Sequence, residues 1–272
     1  MSKWELNSQV LNIYKNIDAA DCEKIIQTET KIGLIQLWKS LEGKITEKTL
    51  TLINDEILAL YPNCSMRFTF GDANHYCIDY KNLDNLRFLS NLKVLHLSIE
   101  KINIDFTPIN KYLDLNDFGI YSSSRKIDIS FLKEQTTLRK LYVGGKVSNL
   151  WILNEMPWIL KLTLNQQLDD LKYIQDIKNL KELHFWGGHV SNLQGIDKIG
   201  KIEKLEFEGM RKITDLDLIP VNTMPLLKYL AFATMNNLKT LNWLTLPNVE
   251  YGIRNCTHLK GVVTPNYKNT VV

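Results

Sequence analysis

One spacing dominates this sequence. Apolar triplets of the form LxxLxL recur as LKVLHL from residue 92, LRKLYV from 138, ILKLTL from 159, LKELHF from 180, IEKLEF from 202 and LKYLAF from 227. Weaker copies, SMRFTF from 65, NKYLDL from 110 and VEYGIR from 249, fit the same frame. From 138 onward the steps are 21, 21, 22, 25 and 22 residues. A second phrase keeps the same period, as VSNLWIL from 147, LDDLKYI from 168, VSNLQGI from 190, ITDLDLI from 213 and LKTLNWL from 238. Each unit thus offers a short strand with its first, fourth and sixth residues inward, then a turn, then a second apolar edge. One unit cannot bury that edge by itself, so neighbours must stack into a continuous core. Pro157, Pro220, Pro225 and Pro247 between the phrases suit irregular or 3₁₀ segments better than full helices.

The N-terminal stretch does not share the period. Leu6, Val10, Ile13, Tyr14 and Ile17 fall at helical spacing, as do Leu34, Trp38 and Leu41, and then Ile53, Ile57 and Leu60 before Pro62. The spacing predicts a helical N-terminal cap over 1–62, repeats with about nine strands over 63–255, and a C-terminal cap and tail over 256–272.

The phrases VSNLWIL and ITDLDLI, followed by LKELHF and LKYLAF, resemble the 22-residue leucine-rich repeats of bacterial internalins and of the related phosphatase-regulator type. The resemblance covers roughly residues 65–255. It implies an α/β fold: a curved, right-handed leucine-rich repeat solenoid with a parallel concave β-sheet and an irregular or 3₁₀ convex side. The asparagine usual three residues after the last strand leucine is replaced by Glu100, Lys146, Gln167, Gly188 and Met210. Backbone groups in those turns must find other partners. The phrases LYVGG and HFWGG place paired glycines just past a strand, where a sharp turn with positive φ is expected.

Composition narrows the function classes. The chain has 272 residues, 44% apolar and 23% charged, with a formal charge of +3, which is too small to argue for nucleic acid. No apolar run reaches the roughly 18 residues that would span a membrane, and the first residues do not read as an export signal. Cys22, Cys64, Cys77 and Cys256 are scattered without metal-ligand spacing and read as idle thiols of a reducing cytoplasm.

Strand residues alternate, so the third, fifth and seventh positions of each unit point away from the core. Of these 27 positions five are aromatic, Tyr112, Tyr142, Trp186, Tyr229 and Tyr251, whereas the whole 272-residue chain has only 11 Tyr and 6 Trp. Tyr and Trp combine large rigid contact area with one polar handle, the chemistry of protein-recognition hot spots. Asp114, Lys140, Lys161, Glu182, His184, Glu206 and Glu208 share the same face. Glu206 and Glu208 would select a basic partner patch, and Lys140 and Lys161 an acidic one. A basic stripe at the second position, Lys93, Lys111, Arg139, Lys181 and Lys228, is interrupted by Glu203 and Glu250 and does not favour nucleic acid.

Register would also place Thr163, His184 and Glu206 side by side, in imitation of a hydrolase nucleophile, base and acid. A shallow strand surface with no oxyanion donors argues instead for a His184–Glu206 pair that favours protonated His184. His96 and His184 lie four units apart, too far to share a metal. The expectation is a non-enzymatic, cofactor-free monomer that binds another protein through its concave face. It could be an immunity-type neutraliser or a regulator of an enzyme; the alternatives are a scaffold that uses the N-terminal cap or basic rim, and a hydrolase using Thr163, His184 and Glu206.

Overall fold

The computed structural model describes residues 2–28, 31–38, 45–70, 83–100, 103–246 and 248–260, with Thr69 and Phe70 as backbone only; Leu41, Cys77, Pro247 and the tail beyond 260 lie outside this range. The chain forms two compact units, Met1–Leu138 with Lys146–Ser148, and Arg139–Gly145 with Asn149–Val272.

The first unit opens with strands where the spacing predicts helix. β1 (Trp4–Asn7) and β2 (Val10–Ile13) pair antiparallel, with Leu6 opposite Leu11. The two-residue link Ser8–Gln9 has φ values of 48° and 70°, the left-handed geometry that matches the twist of a hairpin. Neither residue is glycine, which is why no turn signal shows in the sequence. Helix α1 (Ala19–Thr28) follows, and then β3 (Leu34–Leu37), parallel to β2. Trp38 belongs to no helix face: its Nε1 donates to Asn12 Oδ1 at 2.7 Å, and its ring stacks on Tyr14 at 6.1 Å. Of the three stretches with helical spacing, only the third is helical, at α2 (Glu47–Leu52), which continues as a π-helix over Ile53–Leu58 and buries Ile53 and Ile57. The N-terminal stretch is therefore a mixed strand and helix layer rather than a helical cap.

β4 (Ser65–Phe70) and β5 (Val94–Ile99) continue the parallel ladder. The next strand is not at 110–115. Thr107–Tyr112 forms α3, with Pro108 in its first turn, and the strand is β6 (Asp117–Asp128). Val94 pairs with Asp117, so β5, β6 and the next strand start at 94, 117 and 140, two even steps of 23 residues. This replaces the steps of 18 and 28 that the NKYLDL copy implied. Buried Gln135 explains the difference: its Nε2 donates to Leu113 O and Asn110 Oδ1, and its Oε1 accepts from Leu115 N. These bonds satisfy the backbone of 113–115 without a ladder. Tyr112 and Asp114 thus leave the strand face, and Asp117, Gly119 and Tyr121 occupy it.

The second unit keeps the period closely. β7 (Lys140–Ser148), β8 (Lys161–Asn165), β10 (Glu182–Trp186), β12 (Lys204–Glu208), β13 (Tyr229–Ala233) and β14 (Glu250–Arg254) are parallel neighbours in that order; a second small sheet pairs β9 (Gln167–Leu168) with β11 (His189–Val190). Gly187, at φ +74°, makes the turn between β10 and β11, and Gly188 presses against the Gln166 backbone so closely that a Cβ has no room. The other layer consists of 3₁₀ segments, Leu150–Glu155, Ile196–Lys198 and Leu216–Thr223. In both units strand, turn and short helical segment recur, which is the leucine-rich repeat arrangement.

From β8 to β13 the inward strand positions are buried. Leu162, Leu183, Leu205 and Leu230 stack in one row, at most 1% exposed. In the next, Phe185, Phe207 and Phe232 stack face to face with ring centroids 5.4 and 5.8 Å apart. The last strand is shifted by one residue from the expected frame. Glu250 pairs with Tyr229 and Tyr251 with Leu230, so Tyr251 points inward, 4% exposed, and its hydroxyl donates to Leu246 O at 2.9 Å. The VEYGIR copy starts in effect at Asn248, 21 residues after Leu227, a step as regular as the others.

Because Phe207 touches a ring on both sides, Phe207→Ala is expected to lower unfolding stability by about 3–5 kcal/mol, and Phe207→Leu by clearly less. Urea denaturation of the intact chain followed by circular dichroism measures both; equal losses would show that the filled volume contributes nothing and the ring contacts carry the whole effect.

Candidate functional site

The open face of the second unit carries three rows of side chains. Register aligns Lys140, Lys161, Glu182, Lys204, Tyr229 and Glu250 in the first row, and Tyr142, Thr163, His184, Glu206, Ala231 and Gly252 in the second. Asn165, Trp186, Glu208, Ala233 and Arg254 stand in the third.

At one end the Tyr142 and Trp186 rings meet at 5.7 Å with a tilt of 48°. They stand on β7 and β10, with β8 between them. Strand spacing of about 4.8 Å would keep them apart unless the intervening residue were short. Thr163, the β8 residue beside Tyr142, is short. Trp186 remains 44% exposed, one of few large apolar side chains left in water among the described residues.

Toward the other end lies a groove of about 320 Å³, floored by Ala231, Ala233 and Gly252 and walled by His184, Glu206, Glu208, Tyr229 and Arg254. A Cβ at Gly252 would meet the Tyr229 hydroxyl, which lies across β14, so a larger residue there would push that ring aside. Glu208 pairs with Arg254 Nη2 at 3.2 Å, and His184 Nε2 stands 3.6 Å from its other oxygen, too far for a hydrogen bond. Lys204 pairs with Glu206 on its own strand at 3.3 Å and sits 5.1 Å over the Tyr229 ring. Lys161 pairs with Glu182 at 3.0 Å, both well exposed, a contact of small energetic weight.

These contacts correct the expected histidine pair. The close carboxylate of His184 is Glu208, diagonal on β12, and not Glu206 directly opposite. Burial pushes the His184 pKa below its ordinary value and outweighs Glu206 and Glu208, which raise it; Lys161 and Lys204 reinforce the lowering. His184 is therefore held neutral rather than protonated. Register does bring Thr163, His184 and Glu206 together, yet no hydrogen bond joins any two of them among the described residues.

Of the residues expected on this face, Lys140, Tyr142, Lys161, Glu182, His184, Trp186, Glu206, Glu208 and Tyr229 stand on it. Tyr112 ends α3 in the first unit, under the Lys111 ammonium at 4.9 Å, and exposed Asp114 follows it. Tyr251 is core. The basic stripe is also thinner than expected, since Lys111 lies on α3 and Lys228 is tied to Glu203 at 2.6 Å. Arg254 and Gly252, which shape the groove, were hidden by the one-residue shift of β14; the regular step to Asn248 was the signal available. Lys204 was visible in its row, but its seat on Tyr229 depends on side-chain direction.

Among the described residues no group of three or more His, Cys, Asp or Glu side chains could hold a metal ion, and no helix is long and apolar enough to cross a membrane. Cys22, Cys64 and Cys256 are free. Burial pushes the Cys22 thiol up to about 11 and the Cys64 thiol up to about 12, which leaves both unreactive.

No protein-family model matches the chain, and no curated protein matches it. Among solved structures it is similar to internalin C2 of Listeria monocytogenes, with a TM-score of 0.46 and 16% identity over 79% of this chain and 93% of that one. A second internalin of the same organism is similar with a TM-score of 0.48 and 16% identity, over 84% of this chain and 71% of the other. At this identity the likeness concerns the backbone and says nothing of the site.

A histidine whose folded pKa lies below its unfolded value of about 6.5 favours the folded state above that pH and loses the benefit as pH falls through the folded value. The urea midpoint of the wild type should therefore drop more between pH 7 and pH 5 than that of His184→Gln. Parallel pH profiles would show that burial does not govern this residue.

Proposed function

We propose that this protein is a non-enzymatic protein-binding module whose contact surface is the open face of its second unit. The observation that carries the reading is the exposed Tyr142–Trp186 ring pair, set beside a groove walled by Tyr229, His184 and two carboxylates. A half-exposed tryptophan packed on a tyrosine offers rigid apolar area that loses little conformational freedom on binding. The surrounding Lys161, Glu182, Lys204, Glu208 and Arg254 form the polar surround that orients a partner and sets its approach.

Among the described residues the three cysteines are free thiols, two of them buried, which fits a reducing compartment, and we place the protein in the cytoplasm. There it acts as a neutraliser that plugs a toxin or enzyme, or as a regulator of an enzyme of its own cell. The identity of the captured partner separates these two.

The test is affinity capture from lysate of the native cell, comparing wild type with a Tyr142→Ala/Trp186→Ala variant whose circular dichroism matches. Protein that binds the wild type should be reduced at least about tenfold on the variant, as expected for loss of an aromatic hot spot. Identical captured proteins on both would remove the ring pair from the contact surface.

A further inference from the structure

Lys204 points to the chemistry of the partner; this inference rests on the open face being a protein-contact surface. The Lys204 ammonium lies 3.3 Å from Glu206 Oε1 and 5.1 Å from the centroid of the Tyr229 ring. A carboxylate on one side with an aromatic face on the other is an arrangement that holds an alkylammonium or guanidinium group. In the free protein the cation is supplied by the strand's own lysine, two residues before the carboxylate. The lysine is 37% exposed, and an exposed pair of this kind is weak enough to exchange.

The groove alongside has room for a longer side chain. Its floor of Ala231, Ala233 and Gly252 carries nothing larger than a methyl group, and Ala231 lies between Glu206 on β12 and Gly252 on β14. Among its charged walls Glu206 and Glu208 face Arg254, burial disfavours a charge on His184, and the Lys204 ammonium beside Glu206 supplies the second positive charge. The groove is left with a net negative charge only when that ammonium moves away. Glu208 is already paired with Arg254. Glu206 makes no hydrogen bond or ion pair other than the one to Lys204 among the described residues. Glu206 is the acceptor on offer.

We infer that this groove receives a lysine or arginine side chain of the partner protein, whose head group replaces the Lys204 ammonium between Glu206 and Tyr229. Its aliphatic stem lies along Ala231 and Ala233, beside the Tyr229 hydroxyl that covers Gly252, as such stems do on apolar surface. Lys204 is then an internal competitor for a basic partner. Toward an acidic partner it would be an attraction. Its removal separates the two by the sign of the effect.

The experiment titrates the intact, nitrogen-15-labelled protein with the blocked tripeptides acetyl-Gly-Arg-Gly-amide and acetyl-Gly-Glu-Gly-amide, following the backbone amide signals of Ala231, Ala233 and Gly252. The arginine peptide should shift these signals saturably and the glutamate peptide should not. Lys204→Met should tighten arginine-peptide binding about twofold to fivefold, and Glu206→Gln should weaken it by a similar factor. Unchanged spectra elsewhere show that both variants are folded. Saturable shifts from the glutamate peptide, weaker arginine binding by Lys204→Met, or no saturable shift from the arginine peptide would each overturn the inference. Should the arginine peptide fail while Tyr142→Ala/Trp186→Ala still loses captured protein, the contact surface stands and only its occupant is wrong. Should capture be indifferent to the ring pair while the peptide binds as expected, the contact surface is redrawn around the groove.

Discussion

Mutual burial between adjacent repeats is the interaction on which everything else rests. A single strand and its 3₁₀ segment expose as much apolar surface as they cover. Leu183 and Phe185 become core only because Leu162, Leu205 and Phe207 lie against them on neighbouring strands. Each such side chain contributes about 1.5–3 kcal/mol when fully buried, but only as a member of the stack. The inward rows therefore set the register, and the register dictates which side chains stand shoulder to shoulder on the other face. Tyr142, Thr163 and His184 are neighbours because the leucines beneath them are.

That dependence explains what could be read in advance and what could not. The alternation in LRKLYV, ILKLTL, LKELHF, IEKLEF and LKYLAF is unambiguous, and the nine face residues expected from those strands and from Glu208 stand where the spacing puts them. The failures fall where two frames compete on equal terms. In VEYGIR, Val249 and Tyr251 are both apolar and both buried, so the pattern alone did not say which residue pairs with Leu230. In NKYLDL, Leu113 and Leu115 are buried as a strand would bury them, but Gln135 holds their backbone from below. A long-range polar contact of that kind leaves no periodic trace. The N-terminal hairpin was missed for a third reason, because residues spaced three and four apart also satisfy an alternating pattern once a two-residue turn intervenes.

The electrostatics of the face follow from the same rows, modified by depth. Direct opposition suggested His184 with Glu206, yet side chains on a sheet lean along the strand and reach diagonal neighbours. Glu208 is reached in this way, and Glu206 turns to Lys204 instead. Burial then decides the protonation of His184 against two nearby carboxylates. Pair lists drawn from register alone miss both effects.

The step from β12 to β13 is 25 residues, longer than its neighbours, and the surplus is taken up in the layer opposite the open face, where Leu216–Thr223 makes the longest 3₁₀ segment and leaves Leu216 75% exposed. The strands on either side still pair residue for residue, Lys204 with Tyr229 through Glu208 with Ala233. Chain length and recognition are thereby decoupled. Insertions and deletions can accumulate on one side of the sheet while the pattern displayed on the other stays in phase, so that descendants of this sequence could differ in length by several residues and still present the same surface.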